Sequence, residues 1–194
     1  MVANFPADFS WQFTGSGNMT TAVTEEIVDG QMSGSALSIL MMFLILILFF
    51  QSIKMGWIGM LPILVTVVVN FGMMGLFSVS LNIGTALINC LVIGVGVDYS
   101  IHYLSRVKKN IFKGMKLEAA LQETIHHTGK AILINATIVG IGFSALLLSE
   151  MTPIQTMGWL VLLTMLTGTM STLVLIPATM RLLYVKNTPF YQAE

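Results

Sequence analysis

The chain has 194 residues, 55% of them hydrophobic and only 9% charged, with a mean hydropathy of +0.84. A soluble domain carries roughly 25% charged residues, so this composition excludes a water-soluble monomer. Nine basic residues balance nine acidic ones, which leaves no net charge to attract nucleic acid, and no nucleic-acid partner is expected.

In chain order, residues 1–32 form the one sizeable stretch that is not membrane-like, with Asp8, Glu25, Glu26 and Asp29, aromatics at Phe5, Phe9, Trp11 and Phe13, and Gly15-Ser16-Gly17 between them. Asn18 or Thr20 can cap a helix through Glu25 and Glu26, since carboxylates in the first turns suit the helix dipole. That helix is expected to continue into the membrane. The first apolar run covers Gly34 to Phe50, with Ser33 and Gln51 at the interfaces, and the second runs from Trp57 to Phe77. In the second, Asn70, Gly72 and Gly75 suggest a face packed on another helix. The third covers Ile83 to Tyr103 and contains Asn89, Gly94, Gly96 and Asp98. Ser105 to Thr128 is the most polar segment, and Leu117, Ala120, Leu121 and Ile125 recur within it at helical spacing, which predicts a helix on the membrane surface. The fourth crossing spans Lys130 to Leu148 and the fifth Ile154 to Leu175 or a little beyond, between Pro153 and Pro177.

About 20 residues are needed per helical crossing, so five crossings nearly exhaust the chain. In this layout Lys54, Arg106, Lys108, Lys109, Lys113, Lys116, Lys130, Arg181 and Lys186 all fall on one side. Basic residues in short loops stay cytoplasmic. The expected organisation is thus an extracytoplasmic tail at 1–32, a transmembrane domain at 33–185 and a cytoplasmic tail at 186–194. The tail lacks the basic region and apolar core of a signal peptide, so the sequence is read as the C-terminal piece of a longer protein.

The segment from Ile93 to Tyr103 carries the most information. At about 1.5 Å per residue from Ile83, Asp98 lies some 22 Å into its crossing. An ionised carboxylate at that depth costs at least ~2.5 kcal/mol, so it should face a protein interior or a wet cavity and act in a proton or ion path. Gly94 and His102 lie one turn away on the same face. Glycine leaves space beside the carboxylate, and His102 either exchanges a proton with Asp98 or anchors the helix at the interface. Tyr99 points about 100° away and can hydrogen-bond a partner helix or serve as an interfacial aromatic. Asn70, Asn89 and Asn135 are expected to make interhelical hydrogen bonds. His102, His126 and His127 do not converge as metal ligands, Cys90 stands alone, and no nucleophile-base pair has the required spacing. Neither a metal, a cofactor nor an enzymatic activity is expected.

The segment Gly94-Val95-Gly96-Val97-Asp98-Tyr99-Ser100-Ile101-His102 resembles the fourth or tenth transmembrane helix of exporters in the resistance-nodulation-division (RND) superfamily, most of all its MMPL-type branch, related to Patched-like and sterol-sensing-domain proteins. Thr14-Gly15, Glu118-Ala119-Ala120-Leu121, Gly129-Lys130-Ala131-Ile132 and Leu175-Ile176-Pro177-Ala178 extend the resemblance over nearly all of residues 14–185. It implies an all-α polytopic membrane protein of five transmembrane helices plus one cytoplasmic surface helix, equivalent to the last five helices of one repeat. The tail at 1–32 would then be the end of a porter-like domain.

The function implied is export of lipids or other hydrophobic compounds from the cell (inner) membrane, driven by proton motive force. Asp98 and Tyr99 would be the relay, with His102 beside them and Gly94 and Gly96 as packing positions. Family members have two such repeats, so the bilayer, a hydrophobic substrate and a second RND half or a homo-oligomer are the expected partners. A lipid- or sterol-sensing or scaffold module without transport is the competing class, and a nonfunctional gene fragment a third.

Overall fold

The link between the first two helices sets the architecture, because it is too short to do anything but reverse the chain. The computed structural model describes residues 16–79 and 83–186; the side-chain surroundings of 16–29, of 83, 84, 87, 89 and 92, and of 184–186 lie outside that description. Helix α1 (Ser16–Phe50) ends at Gln51, whose φ of 52° turns the backbone, and α2 (Ile53–Leu76) starts at once behind Ser52. Ser52 is extended (φ −153°) and its hydroxyl accepts from the Met55 amide at 3.4 Å, an N-cap that satisfies one of the free first-turn donors. Lys108, from α3 (Ile83–Phe112), donates to the Phe50 carbonyl at 3.3 Å and so places a cation at the C-terminus of α1.

Helix α3 ends where Gly114 adopts φ +86°, with the Gly114 amide bonded to the Ile111 carbonyl and the Met115 amide to that of Asn110. Only glycine takes this left-handed cap without steric cost. The chain then re-enters helix at α4 (Leu117–Thr124) and passes through a π-helical turn (Ile125–Gly129) into α5 (Lys130–Ser144). A 3-10 turn (Ala145–Leu148) closes α5 before α6 (Thr152–Lys186). Pro153 stands at the start of α6, where its missing donor costs nothing. Pro177 lies inside it, and the helix continues past it to Lys186.

Among the described residues there is no strand, and four helical stretches are long and apolar enough to cross a membrane: Gly30–Phe50, Ile53–Leu76, Leu117–Leu148 and Thr152–Leu183. Helix α3, 30 residues long, packs on α2 and α6. This is an all-α, multi-pass membrane protein. Helices α2 and α6 form its centre, about half buried, whereas the stretches at Gly30–Phe50 and Leu117–Leu148 are only 11% buried. Their outward rows, such as Leu37, Leu40, Leu44 and Leu48 on α1 and Ile134, Ile138 and Ile141 on α5, are exposed. So much contiguous apolar surface is foreign to a soluble monomer and suits acyl chains.

Two clusters fill the interior. One gathers Leu46, Met60, Ile63, Tyr103, Leu104, Val107, Leu121 and Ile176 toward the basic end, and the other Met74, Ile88, Leu160, Val161 and Met165. Asn70 of α2 donates to Thr164 of α6 at 2.6 Å, both side chains fully buried. Asn70 therefore marks a packed face, as expected, but Gly72 and Gly75 look onto open space.

The polar segment at 105–128 is divided. Its first eight residues complete α3, and α4 is joined to α5 without a break. The buried stripe of α4 is Leu117, Ala120, Leu121 and Thr124; Ile125, expected on it, is 42% exposed and opens the π turn. The expectations that rest on Asp8 and the aromatics of the first 15 residues, on the Asn89 side chain and on the last eight residues lie outside the described residues.

Candidate functional site

Helix α3 presents two different faces at neighbouring positions. Tyr99 points inward and is 3% exposed; its hydroxyl accepts from Asn135 Nδ2 of α5 at 3.3 Å and donates to Met165 Sδ of α6 at 3.8 Å. Asp98 points the other way, its side chain 72% exposed. One turn on, His102 Nε2 lies 3.8 Å from Asp98 Oδ1, beyond hydrogen-bond range but close enough for the charge of one to act on the other. Arg106 follows one turn later on the same stripe, since residues four apart share a helix face.

These side chains line a groove of about 480 Å³ between α3 and the π-turn and α5 segment, with Tyr99, His127, Thr128, Ala131, Ile132 and Asn135 completing its walls. The π turn brings His127 to the wall. His127 Nε2 sits 3.0 Å from Glu123 Oε1, while His126 turns aside toward Lys130 Nζ at 3.4 Å. A π turn inserted in an α-helix is frequent at functional sites. Among the described residues no three of His, Cys, Asp and Glu converge to hold a metal ion.

The two glycines of the motif behave differently. A Cβ at Gly96 would meet Ile63 Cγ1 of α2 at 3.2 Å, so the absence of a side chain there lets α3 and α2 approach closely. A Cβ at Gly94 would meet nothing within 4 Å, so the surface beside Asp98 is open.

The structure thus brings Asp98 and His102 together and ties Tyr99 to Asn135 on a second helix. The sequence marks Asn135 as an interhelical hydrogen-bonding residue without indicating its partner. Arg106, His127 and Thr128 join the site only in the structure, although the spacing of eight from Asp98 to Arg106 puts those two on one face.

Residues 3–189 match the model of the MMPL family. The chain belongs to the MMPL family. Members of this RND-type family are transporters rather than enzymes. Among the relatives of this MMPL chain are a protein of Methanocaldococcus jannaschii designated as membrane protein MJ1562, 29% identical over 79% of the chain, and the hopanoid transporter HpnN of Burkholderia multivorans, 26% identical over 88%. The chain spans 40% of the length of the first and 20% of the second.

Proposed function

We propose that the chain is the membrane domain of a proton-motive-force-driven exporter of lipids or other hydrophobic compounds, with Asp98 as the proton carrier. Tyr99 supports it and His102 is the neighbouring group through which protons reach it. The observation that carries this reading is the setting of Asp98: a carboxylate deep in a helix of a membrane protein, 72% exposed and over a groove that His102, Arg106, His127 and Asn135 also line. Lipid against that face would cost at least ~2.5 kcal/mol for the ionised form. The cost is avoided if the carboxylate protonates reversibly, or if a second RND half or a second copy of this chain covers the face. Membership of a transporter family and the lipid named for the Burkholderia relative support the substrate class.

In this reading α3 is counted as a fifth crossing, and the basic ends of the helices lie in the cytoplasm by the distribution of positive charge. The protein resides in the cell inner membrane with its N-terminus outside. The relay is then reached from the cytoplasm, because Arg106 and His127 lie between Asp98 and that face.

Asp98→Asn in the complete transport system, with hopanoid efflux followed under an imposed proton gradient, tests the proposal. Efflux should fall to background while the protein stays in the membrane at normal abundance. Efflux at the wild-type rate would remove Asp98 from the relay.

A further inference from the structure

The groove carries a second titratable pair, on a different helix from Asp98 and His102. His127 lines it from the π turn, and its Nε2 lies 3.0 Å from Glu123 Oε1 of α4. The side chains of the two are 58% and 41% exposed, so the pair is open to solvent. The neighbouring His126 turns aside toward Lys130 Nζ at 3.4 Å and does not line the groove.

His127 stands nearer the basic end of the molecule than the relay does. Asn135 is bonded to Tyr99, next to Asp98, and His127 comes eight residues earlier on the same rod, about 12 Å away. His102 is one turn, about 6 Å, from Asp98 in the same direction. The order from the membrane interior outward is therefore Asp98, His102, and then His127 with Glu123. The groove between them, about 480 Å³, has room for several waters of about 30 Å³ each. A second half or copy laid over this face closes the groove from the side and leaves these walls in place, so nothing here requires the face to be bare.

Histidine ordinarily titrates between pH 5 and 8, so it can take up a proton and give it back under physiological conditions. With its Nε2–H donated to the Glu123 carboxylate, the neutral ring keeps a lone pair on Nδ1 for an incoming proton. The Glu123 carboxylate favours the imidazolium that forms. Arg106 on α3 and Lys130 at the start of α5 oppose it, His102 and Asp98 are the other titratable groups on the groove, and the His126 ring meets His127 edge-on at 5.4 Å.

We propose that His127, backed by Glu123, is the group through which the relay at Asp98 exchanges protons with the cytoplasm. The inference rests on the relay proposed above and supplies its cytoplasmic end. A proton leaving the Asp98 carboxyl passes by way of His102 and groove water to Nδ1 of His127, which becomes an imidazolium. The imidazolium gives one proton to cytoplasmic water and returns to the neutral ring, so one proton enters and one leaves in each cycle. Glu123 is a positioning residue in this step.

The complete transport system in liposomes, with hopanoid transport followed under an imposed proton gradient while the cytoplasmic-side pH is varied, tests it. His127→Ala should slow transport about tenfold or more, since a positioned proton-transfer group contributes about 10²–10⁴-fold. The step that His127 gives the pH profile, near its ordinary value of about 6.5, should disappear. Imidazole added on the cytoplasmic side should restore most of the lost rate, which it cannot do for a merely structural defect. Glu123→Gln should move the step to lower pH, because the ring loses the carboxylate that favours its charged form. His126→Ala should match the wild type. Wild-type transport in His127→Ala, or slow transport that keeps the wild-type pH profile and ignores imidazole, overturns the proposal while the Asp98 relay stands. Wild-type transport in Asp98→Asn removes the relay and this inference with it. Should His127→Ala fail to fold, Glu123→Gln decides, and an unmoved pH step overturns the proposal.

Discussion

Asn135 Nδ2 donates to the Tyr99 hydroxyl across 3.3 Å, which ties α5 to α3 one residue from Asp98. The bond fixes Tyr99 in the interior while its neighbour faces out. Interhelical bonds of this kind average about 0.6 kcal/mol and reach about 1.7. Asn135→Leu should therefore lower thermal stability only slightly, and stability measured in detergent with efflux measured in parallel separates the two effects. The expected result is a several-fold loss of transport at nearly unchanged stability. Transport at the wild-type rate would show that Tyr99 needs no such tether.

The Asn70–Thr164 bond at 2.6 Å holds the two central helices together. Asn70→Leu alone leaves the Thr164 hydroxyl with its own turn, where it also donates to the Leu160 carbonyl at 2.8 Å. A double-mutant cycle with Thr164→Val should give a coupling of about 0.6–1.7 kcal/mol. Chemical unfolding of the four proteins reads it, and additivity would mean that the bond contributes nothing net.

Gly96 and Gly94 differ by what lies over them. Gly96→Ala pushes a methyl to 3.2 Å from Ile63 Cγ1 and should cost about 1 kcal/mol, whereas Gly94→Ala enters open space and should cost nothing. Melting temperatures of the two variants, compared in one detergent, test the contrast.

Arg181 grips Glu118 with both ends of its fork, Nε to Oε1 at 3.1 Å and Nη2 to Oε2 at 2.9 Å, on an exposed surface. Glu118→Gln should lower stability by no more than about 1 kcal/mol, and the difference should shrink as salt is raised. Melting curves in low and high salt measure both.

Much of the plan was legible along the chain. Four of the five apolar runs fall on helices long and apolar enough to cross a membrane, all but the run at Ile83–Tyr103, because a ~30 Å hydrocarbon core leaves little freedom in helix length. The four-residue spacing put His102 beside Asp98, and the 100° step turned Tyr99 toward another helix. Which helix received Tyr99 was not legible, since the pairing with Asn135 is made 36 positions away in sequence. Nor was the π turn, for one extra residue in a helical turn leaves no mark on hydropathy. That turn carries His127, which lines the groove. Gly72 and Gly75 misled for a related reason: small residues permit close packing without requiring it. Asp98 was recognisable by its cost in lipid, but that its own chain leaves it uncovered depends on how α5 and α6 are placed.

The unbroken path from Leu117 to Leu148 is a rod of 32 residues, about 48 Å long, and side-chain bonds tie it to both of its neighbours. Glu118 fastens one end to α6, while Thr124, accepting from Asn110 at 3.3 Å, and Asn135 fasten it to α3. The π turn lies between Thr124 and Asn135, and within it a Cβ at Gly129 would meet Leu173 Cδ2 of α6 at 3.3 Å. The least regular stretch of the rod is thus bounded on either side by a bond to α3 and seated on α6.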